Sequence, residues 1–364
     1  MSTMLLAIIF IPLCLFFIFT PYLTRKTESF GVSIPEKIYY TTEMKRMRKQ
    51  YAMVTGAMSI FILGSIIALS LFKFNDNLAN LLIVIIIVGT IMMHFLIYYF
   101  FHRIMKRKKQ AADWKNDRTE KIFIHMKFHN QQLRYSNKWF IIPFVAFLTT
   151  ITITYYFYDK LPQELAINYD LLGNGTNFVT KSYISALALP ITQLFLLSLF
   201  LGVNILIGKV KQQISAENPK KSLQQNVMFR RRWSAFIVLS GVLLTLLLFL
   251  GRLAAIFPNI QPVYTIATIA INLFLFIGAV FLVFSTGQSG SRIKLPDERN
   301  EAVIDRDDDR YWKLGQFYVN KNDPAIFLEK RFGIGWTINL GKPLSWIIMF
   351  IFLLVILGLV LLTH

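Results

Sequence analysis

Long apolar stretches alternate with short polar segments along the whole chain. Eight stretches are long enough to cross a hydrocarbon core about 30 Å thick, which takes about 20 helical residues. They lie at about residues 4–20, 52–72, 79–101, 139–158, 183–207, 233–251, 263–284 and 344–362. The pattern predicts an all-α polytopic membrane protein with about eight transmembrane helices.

The polar segments divide this pattern into four parts. We expect an N-terminal three-helix membrane region at 1–138, with basic cytoplasmic loops, and a four-helix membrane region at 139–284, with an external loop at 159–182. Residues 285–343 are expected to form a cytoplasmic linker and a small β-rich module. Residues 344–364 complete the chain with the last transmembrane helix.

The composition agrees with membrane insertion. Hydrophobic residues make up 55% of the 364 residues, the mean hydropathy is +0.50, and 16% of residues are charged, against about 25% in soluble domains. Cys14 is the only cysteine and lies in an apolar stretch, so we expect it to pack and to form neither an intramolecular disulfide nor a metal site.

The charged residues are sorted to one side of the predicted spans. All but four of the 39 Lys and Arg, and all but four of the 20 acidic residues, lie in the segments 21–51, 102–138, 208–232 and 285–343. These segments carry the whole net charge of +19. The positive-inside rule therefore makes them cytoplasmic and places both termini outside. Because the basic residues follow the spans and do not form one domain, we expect no nucleic-acid partner.

Two details of the basic segments complete the topology. No basic residue precedes the first stretch, and Arg25 and Lys26 follow it, so we expect a retained helix and not a cleaved signal. The basic run at 101–110 follows the third stretch. We interpret it as a topology anchor, with attraction of anionic lipid headgroups as the alternative.

Motifs for chemistry are scarce. The sequence has no metalloprotease helix, nucleophile elbow or phosphate-binding loop, so we expect neither an enzyme nor a cofactor. His125 and His129 have the spacing of a metal pair, but no third ligand is evident, so a solvated pair is expected. His94 lies inside a span and is expected to bond to another helix. The same is expected for the Thr residues at 149–154, for Gln193 and for Asn204.

The segment 159–182 is the candidate external site. Its alternating ELAINYDL predicts a short strand and GNG at 173–175 predicts a reversal. The slight excess of acidic residues would attract a cationic peptide, whereas a plain structured connector is the other interpretation. The candidate ligand-facing residues are Pro162, Glu164, Asn168, Asp170, Gly173 and Lys181.

The second candidate site follows two polar segments. A small-residue linker at 285–292 is expected to be flexible, and a mixed-charge run at 297–310 is expected to be solvated. Three short strands are predicted in QFYV, AIFLEK and GWTINL. Because so few residues bury little core, we expect these strands to pack against helix ends or against the membrane surface. The candidate partner-contact residues are Trp312, Gly315, Tyr318, Asn320, Asp323, Pro324, Arg331, Gly333, Gly335, Trp336 and Asn339.

Both candidate sites carry a resemblance. The segment LPQELAINYDLLGNGTNFVTKS resembles the external segment of the SdpI-like family of bacterial membrane proteins, with matches at Leu161, Pro162, Gly173, Lys181 and Pro190. Ala166, Asn168, Tyr169 and Asp170 stand where that family has Pro, His, Phe and Asn, and Phe178 stands near its Trp. Residues 309–343 look like another, uncharacterised bacterial module with Tyr-Trp, Gly-x-Phe-Tyr-x-Asn, Asp-Pro, Lys-Arg, Gly-x-Gly-Trp and Asn.

The SdpI-like resemblance implies a role in immunity to, or sensing of, a secreted toxic peptide in a Gram-positive cell membrane. It also implies signalling to a cytoplasmic regulator. A transporter or permease-like subunit for a small solute, which uses the polar face of the fourth stretch, is the alternative. The predicted partners are the lipid bilayer, an extracellular cationic peptide and that regulator; the sequence does not predict an oligomeric state.

Overall fold

The structure is a computed structural model that describes residues 3–70, 72, 76–112, 132–169, 175–212, 219–295 and 309–362. The predictions for the histidine pair, for the reversal and for most of the mixed-charge run lie outside the described residues. The residues concerned are His125, His129, Asp170, Gly173 and 297–308.

Helices account for most of the described chain. They are α1 (Thr3–Leu23), α2 (Glu36–Tyr39), α3 (Thr42–Ser70), α4 (Asp76–Ala111), α5 (Ile141–Tyr156), α6 (Tyr183–Ala186), α7 (Ala188–Lys209), α8 (Pro219–Ile256), α9 (Gln261–Thr286) and α10 (Pro343–Leu362). Each of the eight predicted spans overlaps one of the long helices. Within the described residues, six helices are long and apolar enough to cross a membrane, which confirms a multi-pass α-helical membrane protein. The described apolar parts of α1 and α10 are shorter, at Phe10–Leu23 and Pro343–Leu354.

Several helices continue well beyond their apolar part. The helix α8 has 38 residues and is therefore about 57 Å long at 1.5 Å per residue, which exceeds the hydrocarbon thickness. Lys, Arg, Gln and Met in its first turns are good helix formers. The helix α4 extends through the basic run, with Lys108 and Lys109 in its last turn, where positive charge stabilises the helix dipole. Hydropathy alone therefore placed the start of α8 too late and the end of α4 too early.

In the part of the chain that the structure describes, eight short strands form four antiparallel pairs. They are β1 (Glu28–Ser29), β2 (Val32–Ser33), β3 (Glu164–Tyr169), β4 (Gly175–Thr180), β5 (Trp312–Lys313), β6 (Phe317–Tyr318), β7 (Phe327–Glu329) and β8 (Trp336–Ile338), paired in consecutive twos. The strand expected in ELAINYDL is β3. The three strands expected after residue 309 overlap β6, β7 and β8, whereas β5 and the β1–β2 pair were not predicted.

The described chain forms two compact units. Unit 1 comprises 1–124, 212–223 and 286–342, and unit 2 comprises 125–211, 224–285 and 343–364. This grouping differs from the four segments expected from the sequence. The linker and the β-rich residues after it belong with the first three long helices, and the last helix belongs with the middle region.

An aromatic core fills unit 1. Phe30 stacks on Phe101 and on Phe332, with ring centroids 5.4 and 5.9 Å apart, and Tyr51 and Tyr98 complete the cluster. Phe30 lies in the two-residue turn between β1 and β2, where both residues have positive φ, as a type I′ turn requires. The turn thus delivers a large ring to the end of α4.

Buried polar side chains in both units contact a neighbouring helix. In unit 1, Nε2 of His94 lies 3.5 Å from Oγ of Ser59 on α3, so the expected contact between helices is confirmed. In unit 2, the expected bonds of Gln193 and Asn204 to α8 are also confirmed, through the carbonyl of Thr245 and the hydroxyl of Ser234.

The Thr residues of α5 do not follow this expectation. Thr149, Thr150, Thr152 and Thr154 each donate to the carbonyl four residues earlier in the same helix. The prediction of bonds between helices was wrong here because a Thr hydroxyl on a helix already has an acceptor within its reach.

Candidate functional site

The β3–β4 hairpin packs against the ends of two helices of unit 2. Leu161 and Leu165 are buried together with Ala186 of α6 and Ile256 of α8. The hairpin register pairs Glu164 with Thr180, so its open base lies next to these apolar contacts. The packing fixes one face of the hairpin and leaves the other face accessible.

Lys181 closes the base of this hairpin. Its backbone N–H donates to the carbonyl of Gln163 at 2.8 Å, and its ammonium donates to the carbonyl of Leu161 at 3.0 Å. The ammonium also lies 5.2 Å from the ring centroid of Tyr158. The sequence predicted that Lys181 faces a ligand, whereas the structure places its charge on the loop's own backbone.

A small cavity lies beside the hairpin. It has a volume of about 170 Å³, and its lining includes Pro162 and Glu164 together with Arg252 of α8 and Tyr264 of α9. Pro162 and Glu164 are exposed, so both side chains are accessible from outside the protein. Ligand pockets usually measure about 300–1,000 Å³. This cavity therefore fits one side chain of a larger partner.

Arg252 was missed by the sequence analysis. The apolar stretch ends at residue 251, so Arg252 was counted with the loops, but α8 continues to Ile256. Its side chain is only 4% exposed and donates to the carbonyl of Ala186 at 2.8 Å. It thereby joins α8 to α6, directly behind the cavity.

The accessible side of the hairpin region is apolar and aromatic. Tyr156, Phe178, Tyr183 and Ile184 are all more than half exposed. Tyr183 stacks on Tyr158 with ring centroids 4.4 Å apart, so part of this surface is held rigid. For Asn168, the structure describes the backbone in β3 and not the side chain.

The second candidate site belongs to unit 1, and we name residues 309–342 the polar module. Asn339 is fully buried at its centre. Its amide donates to the carbonyls of Asn320 and Ala325, and its oxygen accepts from the N–H groups of Asn320 and Gly341. Tyr318 donates to the carboxylate of Asp323 at 2.8 Å. These bonds join β6 to the turns on either side of β7 and β8.

Most of the predicted partner-contact residues in this module are internal. The buried ones are Trp312, Gly315, Tyr318, Asp323, Arg331, Gly333 and Asn339. A partner cannot reach buried side chains, so their contribution is to the fold of the module. The remaining predicted residues are partly exposed, and Pro324 is exposed; they are Asn320, Pro324, Gly335 and Trp336.

A chain of buried ion pairs connects the module to α1 and α4, and we name it the ion-pair chain. Its six members alternate in charge and are Lys109, Asp309, Arg331, Glu28, Arg25 and Glu329. The N–O distances are 2.7 Å for Lys109–Asp309, 3.6 Å for Arg331–Glu28, 3.0 Å for Arg25–Glu28 and 3.5 Å for Arg25–Glu329; Arg331 also contacts Asp309 directly.

The ion-pair chain is neutral and largely removed from water. The side chains of Arg331 and Glu329 are 2% and 0% exposed. Moving a charge out of water is costly, and it is compensated only by close partners of opposite sign. The alternation satisfies this condition for six charges at once.

The linker at 285–292 supports this arrangement. Gln288 is fully buried; its amide donates to the carbonyls of Lys330 and Gly335, and its oxygen accepts from the N–H of Gly335 at 2.7 Å. Ser289 donates to the carboxylate of Glu329 at 2.5 Å. The expectation of a flexible linker was wrong because its small polar residues complete the hydrogen bonds of the buried module.

Asp309 was expected to be solvated and instead lies partly buried between two cations. It also accepts the N–H of Ser33 at 3.1 Å, which ties it to β2. Burial alone would raise the pKa of Asp309, but the charges of Arg331 and Lys109 outweigh it and hold that pKa below its usual value.

Apart from Arg331, which was a candidate partner-contact residue, the members of the ion-pair chain carried no local signal as functional residues. Arg25 and Glu329 are 304 positions apart, and each reads as an ordinary charge in a polar segment. The one available hint was Glu329 inside the apolar AIFLEK strand. Alternation there predicts one buried face, and a carboxylate on a buried face needs a cationic partner.

The first prediction concerns the buried end of the ion-pair chain. Glu329→Gln removes the charge that faces Arg25, so the free energy of unfolding should fall by about 3–5 kcal/mol. The matched control is Glu43→Gln, whose exposed carboxylate pairs with Lys108 and should contribute less than about 1 kcal/mol. Unfolding of the full chain in mixed micelles measures both. Similar small losses in the two variants would contradict a buried charge network.

The second prediction concerns pH. The pKa of Asp309 is lower in the folded protein than its usual value of 3.8. Its stabilising effect is therefore complete at neutral pH and is lost as the pH falls from about 4 through the lower folded value. The melting temperatures of the native chain and of Asp309→Asn should differ at pH 7 and converge towards pH 3. A difference that stays constant with pH would refute the assignment.

Comparison with known proteins yields one match. The model of a family of unknown function, DUF5808, matches residues 321–346, which overlaps the polar module and includes Asn339. No curated protein and no solved structure matches the chain. The comparisons therefore show a similarity for residues 321–346 alone.

Proposed function

We propose that the chain is a non-enzymatic multi-pass protein of a Gram-positive cell membrane that binds a secreted, cationic, amphipathic peptide on its β3–β4 hairpin. Its role would be SdpI-like immunity to that peptide, or sensing of it. In this proposal the hairpin and both termini face the outside. The polar module faces the cytoplasm, where it contacts a regulator.

Contacts within unit 1 support the proposed sidedness. Arg25 and Glu28 come from the first basic segment, Lys109 from the second, and Asp309 and Glu329 from the fourth. Groups joined by direct ion pairs must lie on the same side of a membrane. The charge count had assigned these three segments to one side independently of any contact.

The peptide proposal rests on an exposed apolar surface, the apolar rim, next to a cavity whose lining includes an exposed acidic residue. Phe178, Tyr183 and Ile184 offer aromatic and aliphatic surface, and Glu164 is exposed at the mouth of the cavity. Amphipathic cationic peptides combine apolar and positive side chains, so both parts of this surface are complementary to them. The cavity of about 170 Å³ would hold one peptide side chain.

A cytoplasmic regulator would contact the exposed part of the polar module. Lys321, Asn322 and Pro324 are exposed on the turn between β6 and β7. The buried residues behind this turn, including Asp323 and Asn339, hold its shape. The regulator would therefore recognise the turn and not the buried residues themselves.

The alternative function, transport of a small solute, has less support. It rests on a polar face of α5, but Thr150 and Thr154 are fully buried and donate to carbonyls of their own helix. Hydroxyls that are already bonded in this way are poor ligands for a passing solute. Gln193 and Asn204 are likewise engaged with α8.

The third prediction tests the peptide proposal in cells. In a strain that lacks the native gene, the wild-type chain should raise the inhibitory concentration of at least one cationic amphipathic peptide from a panel. Glu164→Lys replaces attraction by repulsion at the cavity mouth and should reduce this protection roughly three- to tenfold. Phe178→Ser, which removes apolar rim surface, should reduce it as well.

The matched control is Asp159→Lys. Asp159 is exposed in the same loop and does not line the described cavity, so this variant makes the same charge change away from the site. All variants are compared at equal abundance in the membrane. Unchanged killing curves across the panel would overturn the function, and equal effects of the two charge reversals would overturn the role of the cavity.

A further inference from the structure

A second, larger cavity lies in unit 1 beside the end of α4. It has a volume of about 440 Å³. Its lining includes two cations from α4, two cations from the polar module, and two aromatic walls; these residues are Arg103, Lys106, Arg310, Lys313, Tyr99 and Trp312. The cavity is strongly positive, and the peptide proposal gives it no role.

The one acidic lining residue does not neutralise these cations. Asp309 is held by Lys109, Arg331 and the N–H of Ser33. All four lining cations are exposed, and within the described residues none of them forms an ion pair with an acid. Lys313 donates to the backbone carbonyl of Arg310 at 3.3 Å, so its ammonium is held at the backbone of Arg310.

The turn between β5 and β6 adds apolar surface to the rim of this cavity. Leu314 lines the cavity, and Phe317 begins β6 three residues later; each is 42% exposed. Leu314 has a φ of +53°, a left-handed conformation that is unfavourable for a leucine. An exposed leucine in a strained backbone suggests a binding role at this position.

The turn is held in this conformation by α4. The hydroxyl of Tyr98 donates to the carbonyl of Leu314 at 3.0 Å. Gly315, with a φ of +70°, packs so closely that an added Cβ would lie 2.5 Å from that hydroxyl and 2.7 Å from the ring of His102. Leu314 is therefore fixed beside the cations of α4 and does not swing freely.

The position of the cavity along α4 indicates its ligand. The apolar part of α4 ends at Phe101, and Arg103 and Lys106 follow directly, so these cations lie at the depth where a membrane-spanning helix leaves the hydrocarbon. Lipid phosphates lie at this depth, with acyl chains on one side of them. A site with cations next to exposed Leu314 and Phe317 matches that arrangement.

We propose that this cavity binds the headgroup phosphate of an anionic phospholipid. Arg103, Lys106, Arg310 and Lys313 surround the phosphate, and Leu314 and Phe317 lie against the first part of the acyl chains. The bound lipid would bridge α4 and the polar module, which the ion-pair chain joins through Lys109 and Asp309. The site requires α4 to span the membrane and does not depend on a peptide at the hairpin.

The fourth prediction uses the purified full chain in neutral detergent. Phosphatidylglycerol, phosphatidylcholine and inorganic phosphate are added separately, and lipid adducts are measured by native mass spectrometry together with the melting temperature. Phosphatidylglycerol should bind and raise the melting temperature, whereas phosphatidylcholine and millimolar inorganic phosphate should do neither. Equal effects of the two lipids would overturn the proposal, and an equal effect of inorganic phosphate would reassign the site to a free anion.

Paired variants test the location of the site. The double variant Arg103→Gln with Lys313→Gln should bind phosphatidylglycerol about 25-fold more weakly, since each basic residue near an anionic lipid strengthens binding roughly fivefold. The control, Lys45→Gln with Lys321→Gln, removes two exposed cations outside the described cavity lining and should retain binding within about twofold. Equal losses would show diffuse charge attraction and no site.

Leu314→Asn supplies a readout that does not depend on charge. Asn tolerates the left-handed conformation, so without lipid the variant should melt at or above the temperature of the native chain. The rise in melting temperature caused by phosphatidylglycerol should be smaller, because the apolar contact is lost. An undiminished rise would contradict the role of this turn.

Discussion

The ion-pair chain from Lys109 to Glu329 is the interaction on which unit 1 depends. Each of its charges is paired with at least one of opposite sign, so the removal of any member leaves a neighbour uncompensated in a poorly hydrated interior. Arg25 follows α1, Lys109 ends α4, and Asp309 and Glu329 lie in the polar module. The pairs therefore join the same segments that the aromatic contacts of Phe30, Phe101 and Phe332 bring together.

The end of α4 contacts both the ion-pair chain, through Lys109, and two turns of unit 1. The hydroxyl of Tyr98 donates to the carbonyl of Leu314 in the β5–β6 turn at 3.0 Å and lies 3.4 Å from the carbonyl of Phe30 in the β1–β2 turn. One nitrogen of His102 lies 2.8 Å from the same carbonyl of Phe30. Both turns must approach the helix closely, and both use residues with positive φ to do so. The basic run of α4 continues past these turns, so its cations Arg103 and Lys106 line the cavity beside the β5–β6 turn.

Helices and the β3–β4 hairpin could be predicted because hydropathy and alternation are properties of consecutive residues. The buried network could not, since its pairs join residues such as Arg25 and Glu329 across most of the chain. Composition was also misleading where context decides. Gln288 and Ser289 have the composition of a linker but are buried, and Arg252 follows an apolar stretch but is buried inside a helix. Of the candidate hairpin site, Pro162 and Glu164 are accessible, while Lys181 is engaged with the backbone.

The peptide proposal requires that the β3–β4 hairpin face the outside, and the regulator proposal requires that the polar module face the cytoplasm. Single cysteines at the exposed positions Glu164 and Lys321, in a chain with Cys14→Ser, test this sidedness most directly. A membrane-impermeant thiol reagent should label Glu164→Cys in intact cells and Lys321→Cys only after permeabilisation. Labelling of Lys321→Cys in intact cells, with Glu164→Cys unlabelled, would contradict the topology and the functions that depend on it.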